Sequence, residues 1–349
     1  MIVKNLVVIG YGGMGGWHTQ HAQNSDAVHL NGIWDIDEQR RQLAESRGIR
    51  AYSSLEQVLA DPQVDLVTIA VPNDVHRELA VAALRAGKHV ISEKPVTLSC
   101  EDLSAMFAAS EESGRLFTVH QNRRWDVDYL AMKQICDSGE LGEVFRVESR
   151  IHGSRGIPSD WRREKEHGGG MLYDWGVHLI DQMLLLLPDE ITRVSCEFTH
   201  ITEPLVDDGF RLELTFAGGK TGYVEVGTYN FIELPRFYLQ AKKGSARIRD
   251  WREPCEAVRC KYWHESDVLP VQTAAGLTKT MAPRDSVTVD RYELPIPHSD
   301  VHDFYRNFCR AIDGKEQQIV THPQMMRVMR VIEAAFASDA QGQAVAVSI

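Results

Sequence analysis

The sequence predicts an α/β N-terminal domain with a doubly wound parallel sheet, joined to an α+β C-terminal domain with a mostly antiparallel open sheet. Three observations carry this. Up to His120, short apolar runs alternate with helical segments at short spacing, the pattern of a parallel sheet covered on both faces. A glycine-rich turn, Gly10-Tyr11-Gly12-Gly13-Met14-Gly15, follows the first run and opens the first helical segment. Beyond Gly142 the pattern changes to successive strand-like runs with turn pairs such as Gly218-Gly219 and Lys243-Gly244, as in an antiparallel sheet.

The elements follow in order. Leu6 to Ile9 is apolar and β-branched, a strand buried on both faces. A helix follows from Gly13 to Asn24, then a strand from Val28 to Trp34 ending at Asp35. Asp37 to Gly48 reads as a helix with an outward charged face, closed by glycine. Leu55 to Leu59 is a short helix, and Asp65 to Val71 a buried strand stopped by Pro72. Two more helix–strand pairs are predicted: Asp74 to Ala86 with His89 to Ser92, and Ser99 to Ser113 with Leu116 to His120. A helix near Asp126 to Asp137 leads to a strand from Gly142 to Gly153 and a helix from Gly170 to Leu187. Strand-like runs cover Ile191 to Ile201, Phe210 to Phe216, Gly222 to Phe231 and Phe237 to Arg249. Ser266 to His298 reads as a loop, and helices near Val301 to Asp313 and Pro323 to Ala337 close the chain. The predicted division is residues 1–122 for a dinucleotide-binding domain and 123–349 for a substrate-binding and oligomerisation domain.

Composition narrows the partners. With 38 Lys and Arg against 49 Asp and Glu, the formal net charge is −11, and no long basic run is present, so nucleic acid is excluded as a partner. No apolar stretch approaches a membrane span, and the N-terminal apolar run is too short for a signal segment. The six scattered cysteines read as reduced thiols, so a cytoplasmic location is expected. Cys255, Cys260 and His264 cluster, but their spacing fits no common zinc pattern, and no metal is expected.

The glycine turn carries the first functional argument. Gly10 makes the tight turn, Gly12 lets the backbone approach a pyrophosphate, and Gly15 lets helix and strand pack closely. The helix N-terminus then offers N–H groups and a positive dipole end to phosphate. Asp35, twenty residues past Gly15 at the end of the second strand, is placed to bond the adenosine ribose. A carboxylate there repels a 2′-phosphate, so NAD is favoured over NADP, with Arg40 and Arg41 nearby as the opposing signal.

Two further groups carry chemistry. Glu93-Lys94-Pro95 follows a strand, so Lys94 stands at the carboxyl edge that faces ligand in such sheets. A lysine there can polarise or deprotonate a hydroxyl; the alternative is a surface lysine paired with Glu93. Asp174 and His178 are four apart in a predicted helix and share a face, so the acid can orient the imidazole. A helix-face ion pair or a two-ligand metal site are the other readings. Tyr173 and Trp175 either stack on a sugar ring or pack the helix.

The glycine turn, Val71-Pro72-Asn73-x-x-His76, Glu93-Lys94-Pro95 and Gly168-Gly169-Gly170-x-x-x-Asp174-x-Gly176-x-His178 occur in this order. Together they resemble the Gfo/Idh/MocA family of sugar and polyol oxidoreductases over nearly the whole chain. The resemblance implies that Lys94, Asp174 and His178 form a catalytic group at which His178 or Lys94 takes a hydroxyl proton. It implies that Val71, Pro72, Asn73 and His76 lie beside the nicotinamide ribose, with Glu93, that Trp161 and Arg162 reach over the nicotinamide, and that Arg124, in the Gln121-Asn122-Arg123-Arg124-Trp125 segment, faces substrate. The expected reaction is hydride transfer between nicotinamide C4 and a secondary alcohol or ketone of a sugar, inositol or glycoside. Two alternatives are an enzyme recycling a tightly bound NAD in each turnover, glycosidase- or epimerase-like, and a non-catalytic nicotinamide sensor. An apolar open face on the second sheet would pair two copies, giving a homodimer or homotetramer. The loops 151–167, with Arg155, Arg162 and Arg163 as anion-binding candidates, and 266–298 are expected to set specificity.

Overall fold

The structure is a computed structural model that describes residues 2–262 and 269–349. Strands β1 (Lys4–Ile9), β2 (Val28–Trp34), β3 (Leu66–Ile69), β4 (His89–Ser92) and β5 (Phe117–Val119) form an all-parallel sheet in the order β2-β1-β3-β4-β5. Helices α1 (Gly13–Ala22), α2 (Glu38–Ser46), α3 (Leu55–Ala60), α4 (His76–Arg85) and α5 (Cys100–Ser113) alternate with them. Leu6 through Ile9 are fully buried, because a parallel strand is covered on both faces.

The order of this sheet places the site. The chain leaves β1 for β2 on one side and returns to β3 on the other, which opens a crevice at the carboxyl edge between β1 and β3. Gly10 ends β1, Val71 follows β3, Glu93 and Lys94 follow β4, and His120 and Gln121 follow β5. Four positions distant in sequence therefore share one edge.

After α6 (Val127–Ser138) comes a second sheet, built from β6 (Val144–His152), β7 (Ile191–Thr199), β8 (Gly209–Phe216), β9 (Thr221–Gly227), β10 (Phe237–Ala241), β11 (Gly244–Ile248) and β12 (Cys255–Cys260). A small separate hairpin, β13 (Val271–Thr273) with β14 (Gly276–Thr278), precedes β15 (Val289–Leu294), and β16 (Val345–Ala346) ends the chain. The nine-stranded order is β15-β12-β11-β10-β6-β9-β8-β7-β16, antiparallel except for the β6–β9 pair. Helices α6, α7 (Val177–Leu186) and α9 (His322–Gln341) cover one face. Helix α8 (Asp303–Ile312) returns to the first sheet, where the Tyr305 hydroxyl lies 3.0 Å from Thr68 Oγ1.

Four readings need correction. The stretch Ser266 to His298 is not all loop: β15 pairs with β12 over Cys255–Leu294 to Cys260–Val289. Its alternation is masked by charged residues on the open side of the strand. The run Phe237 to Arg249 is a hairpin folded at Lys242 and Lys243. The run Gly222 to Phe231 stops at Gly227, and Phe231 is 82% exposed. Finally, the uncovered face of the large sheet is charged: Arg146, Glu148, Arg150 and Glu225 interlock there as ion pairs. Tyr223 and Tyr238 stand among these charges on the same face, so the open face is mixed charged and aromatic rather than apolar. Cys255 and Cys260 are five apart on one strand and point to opposite faces; His264 lies outside the described residues.

Candidate active site

The glycine turn is packed on its protein side and open on the other. A Cβ on Gly15 would stand 1.9 Å from Gly10 O, and one on Gly10 2.3 Å from Ala70 O. A Cβ on Gly13 would meet nothing within 4 Å. The first turn of α1 carries no acidic residue and no side-chain cap, so its N–H groups are free for an anion. These features fit a dinucleotide pyrophosphate.

Asp35 stands at the end of β2, but its carboxylate is turned inward. It is 5% exposed and accepts from Tyr11 N at 2.7 Å and Asp37 N at 2.8 Å. Asp35 thus braces the glycine turn through Tyr11, whose own side chain is buried and takes a hydrogen bond from Arg47. Half-exposed Arg40 lies 3.6 Å from Asp35. Gly12 is half-buried, Gly13 and Met14 are exposed, and Met14 lines the cleft described below.

A cleft of about 740 Å³ opens where this layer meets the large sheet. Met14, Glu93, Lys94 and His120 line one side, Ile151, Val226 and Thr228 the other. Lys94 Nζ donates to Asp174 Oδ1 at 2.9 Å and to the Asp174 carbonyl at 3.0 Å. Arg162 Nε donates to Asp174 Oδ2 at 3.0 Å. Burial works against the Asp174 charge, but Lys94 and Arg162 hold its carboxyl below the usual range. The alternative partner for Lys94, Glu93, binds its backbone N–H instead.

The expected helix at Gly170 begins differently. Gly170, at φ +102°, makes a turn in which a Cβ would stand 2.0 Å from Asp207 Oδ1. Asp207 in turn accepts from Leu172 N, and burial pushes its carboxyl up to about 8. Leu172–Gly176 then forms a π-helical turn before α7. Its wider i→i+5 bonding takes Asp174 out of the i,i+4 register with His178. The acid therefore does not orient the imidazole. That role falls to Gln121, whose Oε1 lies 2.9 Å from His178 Nδ1. His178 is 3% exposed, and burial, with the fields of Lys94 and Arg123, pushes its imidazole well below its ordinary value. Gln121 was absent from the expected site; its signal was its place just past β5, on the same edge as Lys94.

Other expected residues stand elsewhere. Arg124 does not reach the cleft: its guanidinium grips buried Asp181 at 2.6 and 2.7 Å and also binds Ile319 O and Gln324. Its neighbour Arg123 lines the cleft, stacked 4.2 Å from the Trp175 ring. His76 is fully buried, with its ring nitrogens on Val96 O and Val71 O, so it braces the Pro72 turn, and it does not line the cleft. Asn73 is also buried and donates to His167 O, tying that turn to the loop before Gly168. Trp161 does not line the cleft; it lies against the Arg162 guanidinium. Arg163 is spent on Glu203 and Ile157 O, whereas Arg155 is exposed on the cleft wall. Trp175 faces the cleft beside Trp251, and Tyr173 packs on Phe336. Among the described residues no helix is long and apolar enough to cross a membrane.

Comparison with known proteins agrees with this geometry. Residues 4–121 match the family model described as the Gfo/Idh/MocA oxidoreductase family with an NAD-binding Rossmann fold, and residues 129–247 match the family's C-terminal domain. A solved structure described as an NAD-binding protein from Listeria innocua superposes with a TM-score of 0.94 at 42% identity, covering 99% of this chain and 100% of that one. The scyllo-inositol 2-dehydrogenase (NADP(+)) of Bacillus subtilis is 29% identical over 82% of this chain and 79% of its own length. An uncharacterized oxidoreductase of Schizosaccharomyces pombe is 40% identical, but the match spans about half of each chain, 48% of this one and 47% of the relative.

Proposed function

The chain belongs to the Gfo/Idh/MocA family of oxidoreductases, and on that premise we propose that it moves a hydride between NAD and a secondary alcohol or ketone carbon of a sugar, inositol or glycoside. The observation that carries this reading is the convergence of Lys94, held by Asp174, and His178, held by Gln121, on one cleft at the dinucleotide edge. A bound nicotinamide supplies the hydride acceptor for oxidation or the donor for reduction.

The chain's own residues handle the proton. His178 donates Nδ1–H to Gln121, so Nε2 keeps a lone pair. Burial keeps the ring neutral at pH 7, which makes it a base. In oxidation His178 takes the hydroxyl proton as the carbon gives up its hydride and the carbonyl forms; in reduction it returns that proton. Lys94 donates to the same oxygen and stabilises the negative charge that develops on it. Trp175 and Trp251 offer apolar faces to ring C–H groups, and the name of the Bacillus relative supports a cyclic polyol.

The test is a panel of inositols, sugars and glycosides with NAD and with NADP, read at the reduced-nicotinamide absorbance. Lys94→Ala and His178→Ala should each lower kcat by on the order of 10² to 10⁴ on the active substrate. Near-normal rates in both variants would refute the assignment.

A further inference from the structure

Four cations line the cleft, Lys94, Arg123, Arg155 and Arg162, in a chain whose formal net charge is −11. Three of them are already paired. Lys94 and Arg162 share Asp174 at 2.9 and 3.0 Å, Arg162 also takes Asp160 at 2.8 Å, and Arg123 takes Asp126 at 2.9 Å. Arg155 has no hydrogen bond, ion pair or ring contact among the described residues. Only Glu93 and Asp174 bring a carboxylate to the lining. Glu93 Oε1 lies 2.7 Å from His18 and 2.9 Å from His120, and Asp174 is held by its two cations, so neither forms an ion pair with Arg155.

Arg155 is held by its backbone rather than by its side chain. It stands in the turn that follows β6, and backbone bonds tie that turn to the end of β9 and the residues just after it. Gly153 N donates to Gly227 O at 2.8 Å, Gly156 N to Thr228 O at 3.0 Å, and Asn230 N to Gly153 O at 2.8 Å. Gly156, at φ +72°, closes the turn. The guanidinium is therefore exposed on the cleft wall from a fixed base, and a ligand that meets it orders only side-chain torsions. A guanidinium is always charged, and its planar fork of N–H donors takes a carboxylate by two parallel bonds. A sugar hydroxyl has no matching pair of acceptors. One unpaired cation also matches one negative charge, whereas a phosphate dianion calls for a second cation, and the other three on the lining are spent.

Resting on the reading of this cleft as the site of hydride transfer, we propose that the substrate is a sugar acid, a polyol or sugar bearing one carboxylate, and that Arg155 binds that carboxylate and so sets specificity. The chemistry at Lys94 and His178 is unchanged by this; Arg155 decides which molecule is presented to it. The cofactor pyrophosphate is the rival anion, because Met14 of the glycine turn lines the same cleft. Binding of NAD measured without substrate separates the two.

The experiment compares matched neutral and acidic sugars, glucose with glucuronate and galactose with galacturonate, and adds glucose 6-phosphate, all at saturating NAD. Calorimetric titration of the whole protein with NAD alone runs beside it. The wild type should favour the acid of at least one pair by about tenfold in kcat/KM, the effect of one charge-assisted pair at a partly solvated site. Arg155→Met should bring that pair within about threefold of one another, chiefly by raising the KM of the acid, with the Kd for NAD within about twofold of wild type. Arg155→Lys keeps the charge without the fork and should fall between the two. Four results overturn the inference and leave the hydride-transfer reading standing: a wild type that turns over the neutral sugars as well as or better than the acids, a preference for glucose 6-phosphate over the acids, an Arg155→Met variant that keeps the wild-type ratio, or one that weakens NAD instead. No binding of NAD, or no turnover of any sugar, inositol or glycoside, overturns that reading together with it.

Discussion

Arg124 offers a test of where the cleft ends and the scaffold begins. Its guanidinium makes a two-pronged pair with Asp181, both side chains being only 3% exposed. It also ties the turn before α6 to the start of α9 through Ile319 O and Gln324. Arg124→Met leaves the Asp181 carboxylate buried with no cation, which costs about 3–5 kcal/mol. Unfolding entropy of about 2.1 cal/mol/K per residue over 349 residues makes that a fall in Tm of about 5 °C for cooperative unfolding. The double variant Arg124→Met/Asp181→Leu removes both charges and should recover most of the loss, because a buried pair replaced by apolar groups is close to neutral. Urea unfolding followed by circular dichroism gives the stabilities, and steady-state rates give KM. KM should stay within about twofold, since no atom of Arg124 lines the cleft. The reasoning fails if the single variant loses less than about 1 kcal/mol, or if KM rises tenfold while stability holds.

Three other outcomes follow from the same structure. Asp174→Asn removes the anion between Lys94 and Arg162 and should lower kcat by on the order of 10²-fold by letting Lys94 shift; a rate within threefold of wild type would mean that Lys94 is held by something else. Gly15→Ala places a methyl 1.9 Å from Gly10 O, so the turn must open and the Kd for NAD should rise at least about tenfold, with an unchanged calorimetric Kd counting against the cradle. Stability should also fall in acid: His18, His76 and His178 are buried with lowered pKa values, so their contribution is present above the unfolded value near 6.5 and is lost below it. Asp207, raised to about 8, works in the opposite sense. Each buried imidazole steepens the loss by up to about 1.4 kcal/mol per pH unit just below 6.5, and urea midpoints that stay flat as the pH falls from 6.5 to 5 would exclude it.

The parallel sheet was legible because its inner strands are buried on both faces and three of its helices, α2, α4 and α5, end at or beside a glycine. β12 and β15 were hidden for the opposite reason: their open side carries Glu256, Arg291 and Glu293, and Arg259 pairs with Asp290 on the other, so the apolar signal is weakened. At the site, residue types pointed to Lys94, Asp174 and His178, but partners could not be read from spacing. The i,i+4 interval implied an α-helical pair, and a π turn is set by tertiary contacts at Gly170 and Asp207 that leave no local pattern. Asp35 shows the same limit. Its position was as expected, but its direction depends on two backbone N–H groups that bring its carboxylate inward. The contact between Thr68 and Tyr305 joins residues 237 apart in sequence, beyond the reach of any local motif.

The π turn matters chemically as well as geometrically. If Asp174 stood in α-helical register with His178, its carboxylate would favour the imidazolium, and the ring would lose the lone pair that the proposed oxidation needs. Moving Asp174 onto Lys94 and Arg162 puts the anion where two cations already require one. Gln121 then holds His178 with a neutral carbonyl oxygen, which orients the ring without stabilising its charge. The two groups at the cleft thus have separate partners, an acid for the cation and an amide for the base. The parallel sheet makes this division possible, because it delivers Lys94 and Gln121 to one edge from neighbouring strands, while the second layer brings Asp174 on the π turn and His178 on α7.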